Sequence, residues 1–193
     1  MSAPRVLALA GSLRRASWNR KLVAAAARHV RAAGVEVTEV ELRDFELPVY
    51  DQDHEDLHGL PEGARRLKAL FREHEGLLLG CPEYNSSITA ALKNALDWVS
   101  RPVDGEPPLA CFDGKLALLL AASPGALGGL RGLTTVRSIL SNVKVLVLPG
   151  QFALSKAHEA FAPDGRLVDP KSDAVVQGLC ADLARTLGKL HAS

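Results

Sequence analysis

The sequence has few cysteines, and none of them is spaced for metal binding or for a redox pair. Cys81, Cys111 and Cys180 are odd in number and far apart, without a CxxC motif or a Cys/His ligand pattern. This pattern fits a reducing compartment better than a secreted, disulfide-built scaffold. We predict three buried, unpaired thiols in a cytoplasmic protein. For Cys81, a buried strand-end thiol is favoured over a redox one, because no resolving cysteine is near it in sequence.

Long apolar runs and an excess of charge of one sign are also missing. No apolar run approaches the ~20 residues of a membrane span, and no secretory leader is recognisable at the N-terminus. The 23 Lys and Arg residues nearly balance the 22 Asp and Glu residues, for a formal net charge of +1. We therefore predict no membrane and no nucleic-acid partner, so that any bound anion must be held by a local site.

The shorter apolar runs that the sequence does contain predict a parallel sheet. The 193 residues are 47% hydrophobic, and no linker or repeat divides them, so we expect a single domain over residues 1–193. Near-continuous runs at residues 6–10, 76–80, 116–122 and 143–148 predict strands buried on both faces. Residues 35–42 alternate instead, which is typical of an edge strand. Pro149 and Gly150 are expected to end the last strand.

Helical periodicity separates these strands. It predicts helices over residues 19–33, 61–74, 89–100, 130–142 and roughly 173–190. Alternating strands and helices predict an α/β protein with right-handed crossovers and three layers. The segments 102–108 and 151–170 are the least regular and are expected to lie at the sheet edges.

A phosphate site is predicted where the first strand ends. Gly11 lets the chain turn, Ser12 and Ser17 bring hydroxyl groups, Arg14 brings charge, and a helix begins near Asn19. The free N–H groups and the positive dipole end of that helix favour a phosphate dianion. An ordinary helix N-cap with exposed arginines is the alternative. Neither GxGxxG nor GxxxxGK[ST] occurs, which argues against a Rossmann dinucleotide site and a P-loop site.

A rigid polar turn follows the third strand. Pro82 fixes the exit from the strand, Glu83 and Asn85 are polar, and Tyr84 adds an aromatic surface. Such a turn suits a flat heteroaromatic ligand at the carboxyl ends of parallel strands. In the helix that follows, Trp98 is predicted to pack in the core or at a subunit contact rather than to stack on a ligand.

Three ordered blocks resemble the NADPH-dependent FMN reductase family, which includes chromate, quinone and azo-dye reductases. They are residues 11–19, residues 82–98 and the glycine-rich residues 123–131, and the resemblance covers nearly the whole chain. It implies a flavodoxin-like fold, a five-stranded parallel sheet in the order 2-1-3-4-5, and non-covalent FMN with NADPH or NADH as electron donor. The chain departs from the family at Ile88-Thr89-Ala90, where a proline and a glycine are common. We expect Thr89 to cap the helix there.

The resemblance also implies a set of cofactor-binding residues by position. Ser12, Arg14, Ser17 and Asn19 would hold the FMN phosphate; Pro82, Glu83, Tyr84 and Asn85 would contact the isoalloxazine; Ser123 and Gly125 would lie on its other side. No side chain is expected to act as a conventional catalytic residue, and no metal is expected. Tyr84 is the candidate for shaping the substrate face.

The implied activity is a ping-pong transfer of electrons from NAD(P)H to a small-molecule acceptor, by a homodimer or homotetramer. The candidate acceptors are quinones, azo dyes, chromate, nitroaromatics and free flavin. A flavodoxin-type electron carrier and a flavin-free scaffold are the alternatives. The near-neutral charge and the form of the phosphate loop favour the enzyme over the carrier.

Three further features leave alternatives open. Arg101 either joins Glu83 or Tyr84 across an oligomer interface or is an ordinary cation at a helix end. Residues 47–51 border the active site or a dimer contact. Residues 53–58 contain two histidines among carboxylates but lack the HExxH order, so we favour a solvated loop over a metal site.

Overall fold

A computed structural model describes residues 3–191, and five parallel strands form its central sheet. The elements in chain order are β1 (Arg5–Ala10), α1 (Trp18–Ala32), β2 (Glu36–Glu41), a 3-10 turn (Leu42–Asp44), α2 (Gln52–His58), α3 (Glu62–Glu73), β3 (Gly76–Gly80), β4 (Glu83–Tyr84), β5 (Ser87–Ile88), α4 (Ala90–Ser100), β6 (Leu116–Ala122), α5 (Leu130–Asn142), β7 (Leu146–Leu154) and α6 (Pro170–His191). The sheet order is β2-β1-β3-β6-β7. This confirms the predicted 2-1-3-4-5 order of a flavodoxin-like fold.

Helices cover both faces of the sheet. Because successive residues of a strand point to opposite faces, Val6 and Ala8 of β1 pack with α1 and α6, whereas Leu7 and Leu9 pack with α3, α4 and α5. Every residue of β3 and β6 is buried. The apolar runs of the central strands thus serve two cores at once, and the three-layer prediction is confirmed.

The two edge strands differ from the central ones. β2 alternates as predicted, with Val37 buried and its acidic neighbours at the surface. β7 is mostly half-exposed, so the prediction that residues 143–148 form a strand buried on both faces is wrong. Arg137 of α5 donates to the carbonyl oxygens of Val147 and Pro149 on β7, at 3.3 and 3.5 Å.

Pro149 and Gly150 do not end the last strand, which also corrects the sequence prediction. β7 continues through them to Leu154. The register between β6 and β7 shifts between Ala117 and Leu119, and this irregularity accommodates the proline. An edge strand tolerates proline because it needs fewer backbone donors than a central strand. The irregular region accordingly begins after Leu154 rather than at residue 151.

The segment with two histidines is a short helix rather than the predicted loop. The Asp51 carboxylate caps α2 by accepting the N–H groups of Asp53 and His54. No residue of α2 is fully buried, although the Glu55 side chain is only 13% exposed. Among residues 3–191, no group of three His, Cys, Asp or Glu side chains is arranged to hold a metal ion.

The remaining expectations about the core are confirmed. Cys81, Cys111 and Cys180 are buried free thiols, and burial raises the pKa of both Cys81 and Cys180 to about 12. Trp98 is fully buried, and its indole N–H donates to the carbonyl oxygen of Pro48 at 2.7 Å.

No helix in the described part of the chain has the length and hydrophobicity of a membrane span.

Candidate functional site

Three loops leave neighbouring strands at one edge of the sheet. The phosphate loop (residues 11–17) follows β1, the polar hairpin (residues 82–88) follows β3, and the glycine loop (residues 123–129) follows β6. The Gly11 N–H donates to the Gly80 oxygen at 2.8 Å, and the Cys81 N–H donates to the Leu120 oxygen at 2.7 Å. The sheet therefore brings the three predicted binding loops together, as expected for ligand sites at the carboxyl ends of parallel strands.

The phosphate loop presents hydroxyl groups and a helix N-terminus. Ser12 is largely buried, and its Oγ accepts the Arg14 N–H at 3.3 Å. Ser17 is the N-cap of α1, and its side chain accepts the Arg20 N–H. The N–H groups of Trp18 and Asn19 lie in the first turn, where no intrahelical acceptor exists. Hydroxyls and unpaired backbone donors at a positive helix end form a donor set that fits a phosphate monoester.

Positive charge in this loop comes from two exposed arginines. The Arg14 guanidinium carbon lies 5.1 Å from the centroid of the Trp18 ring, at cation–π distance. Arg15 is also exposed, whereas Arg20 is already paired with Glu41. Arg14 can therefore serve as the charged partner of a phosphate without first breaking an ion pair. The support that Trp18 gives to Arg14 was not anticipated from the sequence.

Asn19 has its side chain directed away from the loop. Its amide group bonds the backbone of Ala122, and both residues are buried. The contribution of Asn19 to a phosphate site is thus left to its backbone N–H in the first turn of α1. The side chain instead ties the start of α1 to the end of β6.

The polar hairpin consists of β4 and β5, which pair antiparallel through only two residues each. Asn85 and Ser86 form its tip with φ of 51° and 65°. Positive φ at both central positions is required by a two-residue hairpin of type I′, and asparagine favours it. Pro82 is buried at the base, whereas Tyr84 is 57% exposed. The sequence predicted this turn but not its strand pairing, since two pairs leave no periodic signal.

The Glu83 carboxylate is directed to the start of α5. Its Oε1 accepts from Nε and Nη2 of Arg131 at 2.9 and 2.6 Å, and its Oε2 accepts the Gly132 N–H at 3.0 Å. Burial alone would raise the pKa of Glu83, but the Gly132 N–H and the Arg131 guanidinium outweigh it and hold the pKa below its ordinary value. Within the site, Glu83 therefore offers its backbone rather than its carboxylate. In the sequence, Arg131 was only the last residue of the glycine-rich block.

Thr89 joins the polar hairpin to the phosphate loop. Its hydroxyl accepts the Leu92 N–H at 3.1 Å as the N-cap of α4, and it donates to the Gly11 oxygen at 2.6 Å. The cap expected for the unusual Ile88-Thr89-Ala90 stretch is confirmed. A Cβ at Gly11 would lie 2.5 Å from the Leu92 Cβ, so the loop and α4 touch without room for a side chain.

The glycine loop forms the third side of the site. The Ser123 N–H donates to the Leu154 oxygen, and Ser123 Oγ accepts the Gly125 N–H at 3.2 Å. Gly128 and Gly129 have φ of 62° and 94°, and a Cβ on either would meet neighbouring atoms at under 3 Å. A Cβ at Gly125 would meet only Ser123 Oγ, at 3.5 Å, so the space beside Gly125 is open to a ligand.

Arg101 is engaged elsewhere within the chain. Its Nε donates to Glu55 at 2.7 Å, and its guanidinium carbon lies 5.0 Å from the centroid of the Tyr50 ring. Asn94 accepts the Tyr50 N–H at 2.8 Å. Arg101 and Asn94 thus fix residues 47–58 against α4. Within the chain, the partner of Glu83 is Arg131 rather than Arg101.

Comparisons with known proteins identify relatives of the whole fold. Residues 4–159 match the NADPH-dependent FMN reductase family. An NAD(P)H-dependent FMN reductase of Pseudomonas aeruginosa is 35% identical over 175 residues, covering 90% of this chain and 89% of the relative. A quinone reductase of Escherichia coli is 35% identical over 144 residues, covering 75% and 73%.

A solved structure is similar over almost its full length. The flavoenzyme NAD(P)H:(acceptor) oxidoreductase FerB of Paracoccus denitrificans superposes with a TM-score of 0.82 at 28% identity, covering 97% of this chain and 98% of FerB. These matches favour the enzyme over the electron carrier and the flavin-free scaffold. The chain belongs to the NADPH-dependent FMN reductase family and is an oxidoreductase that uses FMN, with NAD(P)H as electron donor.

Proposed function

We propose that this enzyme passes electrons from NAD(P)H to small, flat or oxidising acceptors, with quinones first among them. Azo dyes, nitroaromatics, chromate and free flavin are the other acceptors. FMN, when bound, supplies the hydride and electron transfer chemistry, and the protein supplies binding, orientation and electrostatics. The observation that carries the proposal is the meeting of a phosphate-type donor set with an exposed aromatic hairpin at one sheet edge. Relatives named quinone reductase and 2-hydroxy-1,4-benzoquinone reductase support the choice of quinones.

Each of the three loops has its own proposed role in binding. The hydroxyls of Ser12 and Ser17, the first-turn N–H groups of α1 and the Arg14 guanidinium bind the phosphate. The proposed cofactor-binding set is Ser12, Arg14, Ser17, Asn19, Pro82, Glu83, Tyr84, Asn85, Ser123 and Gly125. Asn19 and Glu83 act through their backbones, because their side chains are bonded within the protein. Backbone N–H groups of the polar hairpin and glycine loop stabilise negative charge that develops on the flat ligand.

The exposure of the hairpin supports the proposed order of binding. Tyr84 is 57% exposed beside the proposed ring position. We propose that donor and acceptor use one open face in turn, so that the oxidised nicotinamide leaves before the acceptor arrives. Tyr84 then shapes the face that both molecules contact, and no side chain is required as acid, base or nucleophile.

Steady-state initial rates test this proposal. NADPH and NADH are varied against benzoquinone, an azo dye, chromate and FMN as acceptors. Parallel double-reciprocal lines with the highest kcat/KM for the quinone are expected. Intersecting lines would contradict the ping-pong order, and a preference for another acceptor would contradict the choice of quinones. A purified chain without flavin absorbance and without affinity for added FMN would contradict the site itself.

We further propose a homodimer or homotetramer of single-domain chains in the cytoplasm. The three free, buried thiols support a reducing compartment. Val49 and Leu57, next to and within α2, are 84% and 79% exposed, which supports a partner subunit over this region. Light scattering after size exclusion should give two or four times the 20.6 kDa chain mass, and a monomer would overturn the assembly.

A further inference from the structure

The polar hairpin is too small to hold its own position. It has two residue pairs, whereas an isolated two-stranded hairpin is marginal even when it is longer. Its tip residues Asn85 and Ser86 both have positive φ, which costs free energy for residues other than glycine. The rest of the protein must therefore fix the hairpin from outside.

A charge-assisted external contact joins Glu83 to the start of α5. Two guanidinium donors of Arg131 and the Gly132 N–H meet the two carboxylate oxygens at 2.6 to 3.0 Å. The Glu83 side chain is only 9% exposed, whereas that of Arg131 is 56% exposed. Charge-assisted bonds of this kind are about twice as strong as neutral ones, and the carboxylate also meets the positive end of a helix.

Two glycines at the start of α5 lie beside the hairpin. A Cβ at Gly132 would lie 3.4 Å from the Glu83 Cβ and 3.5 Å from the Ser87 oxygen. A Cβ at Gly129 would lie 3.7 Å from the Glu83 Cβ. All three distances are ordinary van der Waals spacings, so the start of α5 lies directly beside the hairpin.

We propose that Arg131 is a positioning residue for flavin binding. With the Gly132 N–H, it holds the Glu83 carboxylate and thereby fixes the polar hairpin, so that Pro82, Tyr84 and Asn85 are in place before the ring arrives. This inference rests on the proposed FMN site. Arg131 acts through Glu83 and the hairpin backbone, and it therefore influences the ring end of the ligand and not the phosphate end.

Titrations of the full chain, stripped of flavin, test the inference. The variants are Arg131→Ala, Glu83→Gln and the double variant, with Arg131→Lys as a milder change that keeps the charge. The dissociation constants for FMN and for riboflavin are measured by quenching of flavin fluorescence. Arg185→Ala is the matched control, because it breaks another exposed Arg–carboxylate pair, with Asp182 on α6.

We expect Arg131→Ala to weaken the binding of FMN and of riboflavin by a similar factor of roughly tenfold, since the lost contact acts on the part of the site that binds the ring. Arg131→Lys should lie between wild type and alanine, and the double variant should bind no more weakly than the weaker single variant. Dissociation constants of Arg131→Ala equal to those of the wild type, or a loss of affinity confined to FMN, would overturn the inference. Failure of the wild-type chain to bind FMN would instead overturn the proposed function.

Discussion

Asn19 bonds both backbone groups of Ala122: its Nδ2 donates to the carbonyl oxygen at 2.8 Å, and its Oδ1 accepts the N–H at 3.0 Å. Asn19 lies in the first turn of α1, and Ala122 is the last residue of β6. The contact therefore connects the helix start that follows the phosphate loop to the strand end that precedes the glycine loop, and both residues are buried. One side chain thus adds a direct link to the sheet hydrogen bonds that already join these strand ends.

Replacing Asn19 by alanine should destabilise the protein substantially. The change leaves two buried backbone groups of Ala122 without partners, which should lower the free energy of unfolding by about 2–4 kcal/mol. Urea unfolding of the flavin-free chain measures it. Asn142→Ala is the control, since Asn142 is exposed at the end of α5 and should change stability little. A loss for Asn19→Ala no larger than for the control would contradict the structural role.

Replacing Arg14 by alanine should weaken the binding of FMN but not that of riboflavin. Only FMN carries the phosphate, and a charge-assisted contact is worth about 1.5–3 kcal/mol, so the FMN dissociation constant should rise at least about tenfold. Fluorescence titration measures both ligands. Arg166→Ala removes another exposed arginine that is paired with Asp164 and should leave both constants unchanged. An equal effect of Arg14→Ala on the two ligands would assign Arg14 to the ring rather than the phosphate.

Two glycine substitutions should have effects of opposite sign. Gly11→Ala forces a Cβ to within 2.5 Å of the Leu92 Cβ, and overpacking of this kind costs about 1–3 kcal/mol. Gly178→Ala lies inside α6 with no atom within 4 Å of the added Cβ, and it should stabilise by about 0.5–1 kcal/mol through helix propensity. Thermal and urea unfolding distinguish the two, and a stabilised Gly11→Ala would refute the tight contact between phosphate loop and α4.

The Glu83 carboxylate should make stability depend on acid pH. Its folded pKa is lowered, since the Gly132 N–H and Arg131 outweigh the effect of burial. The stabilisation is therefore complete above the unfolded value of about 4.3 and is lost as the pH falls through the folded pKa. Wild type and Glu83→Gln should differ by a constant free energy of unfolding between pH 8 and 6, and the difference should shrink towards pH 3. A difference that grows as the pH falls would instead mean that the folded pKa of Glu83 is raised rather than lowered.

The sequence predicted the features that depend on burial and on strand periodicity. β1, β3 and β6 are buried on both faces, so their uniform apolar runs were sufficient to place them. The phosphate loop was found because its glycine, serines and helix start are consecutive in the chain. The carboxyl ends of these strands then brought the three loops together, as the predicted sheet order required.

The features that the sequence did not predict depend on contacts between distant segments. β7 is an edge strand, and a shift of register lets Pro149 remain inside it. The pairing of Glu83 with Arg131 joins residues 48 positions apart, and neither residue type is specific for such a contact. For α2, polar composition indicated exposure correctly but gave no helical period, because the helix has no buried apolar residue.

The two borders of the sheet have a consequence for self-association. β2 displays Glu36, Glu39 and Glu41 along its length, and β7 carries Pro149 while Arg137 occupies two of its carbonyls. Charge and proline at a border strand discourage the addition of a foreign strand. These features protect copies of this chain against fibril-like stacking through their sheets, and they favour assembly through helices and loops rather than through the sheet edges.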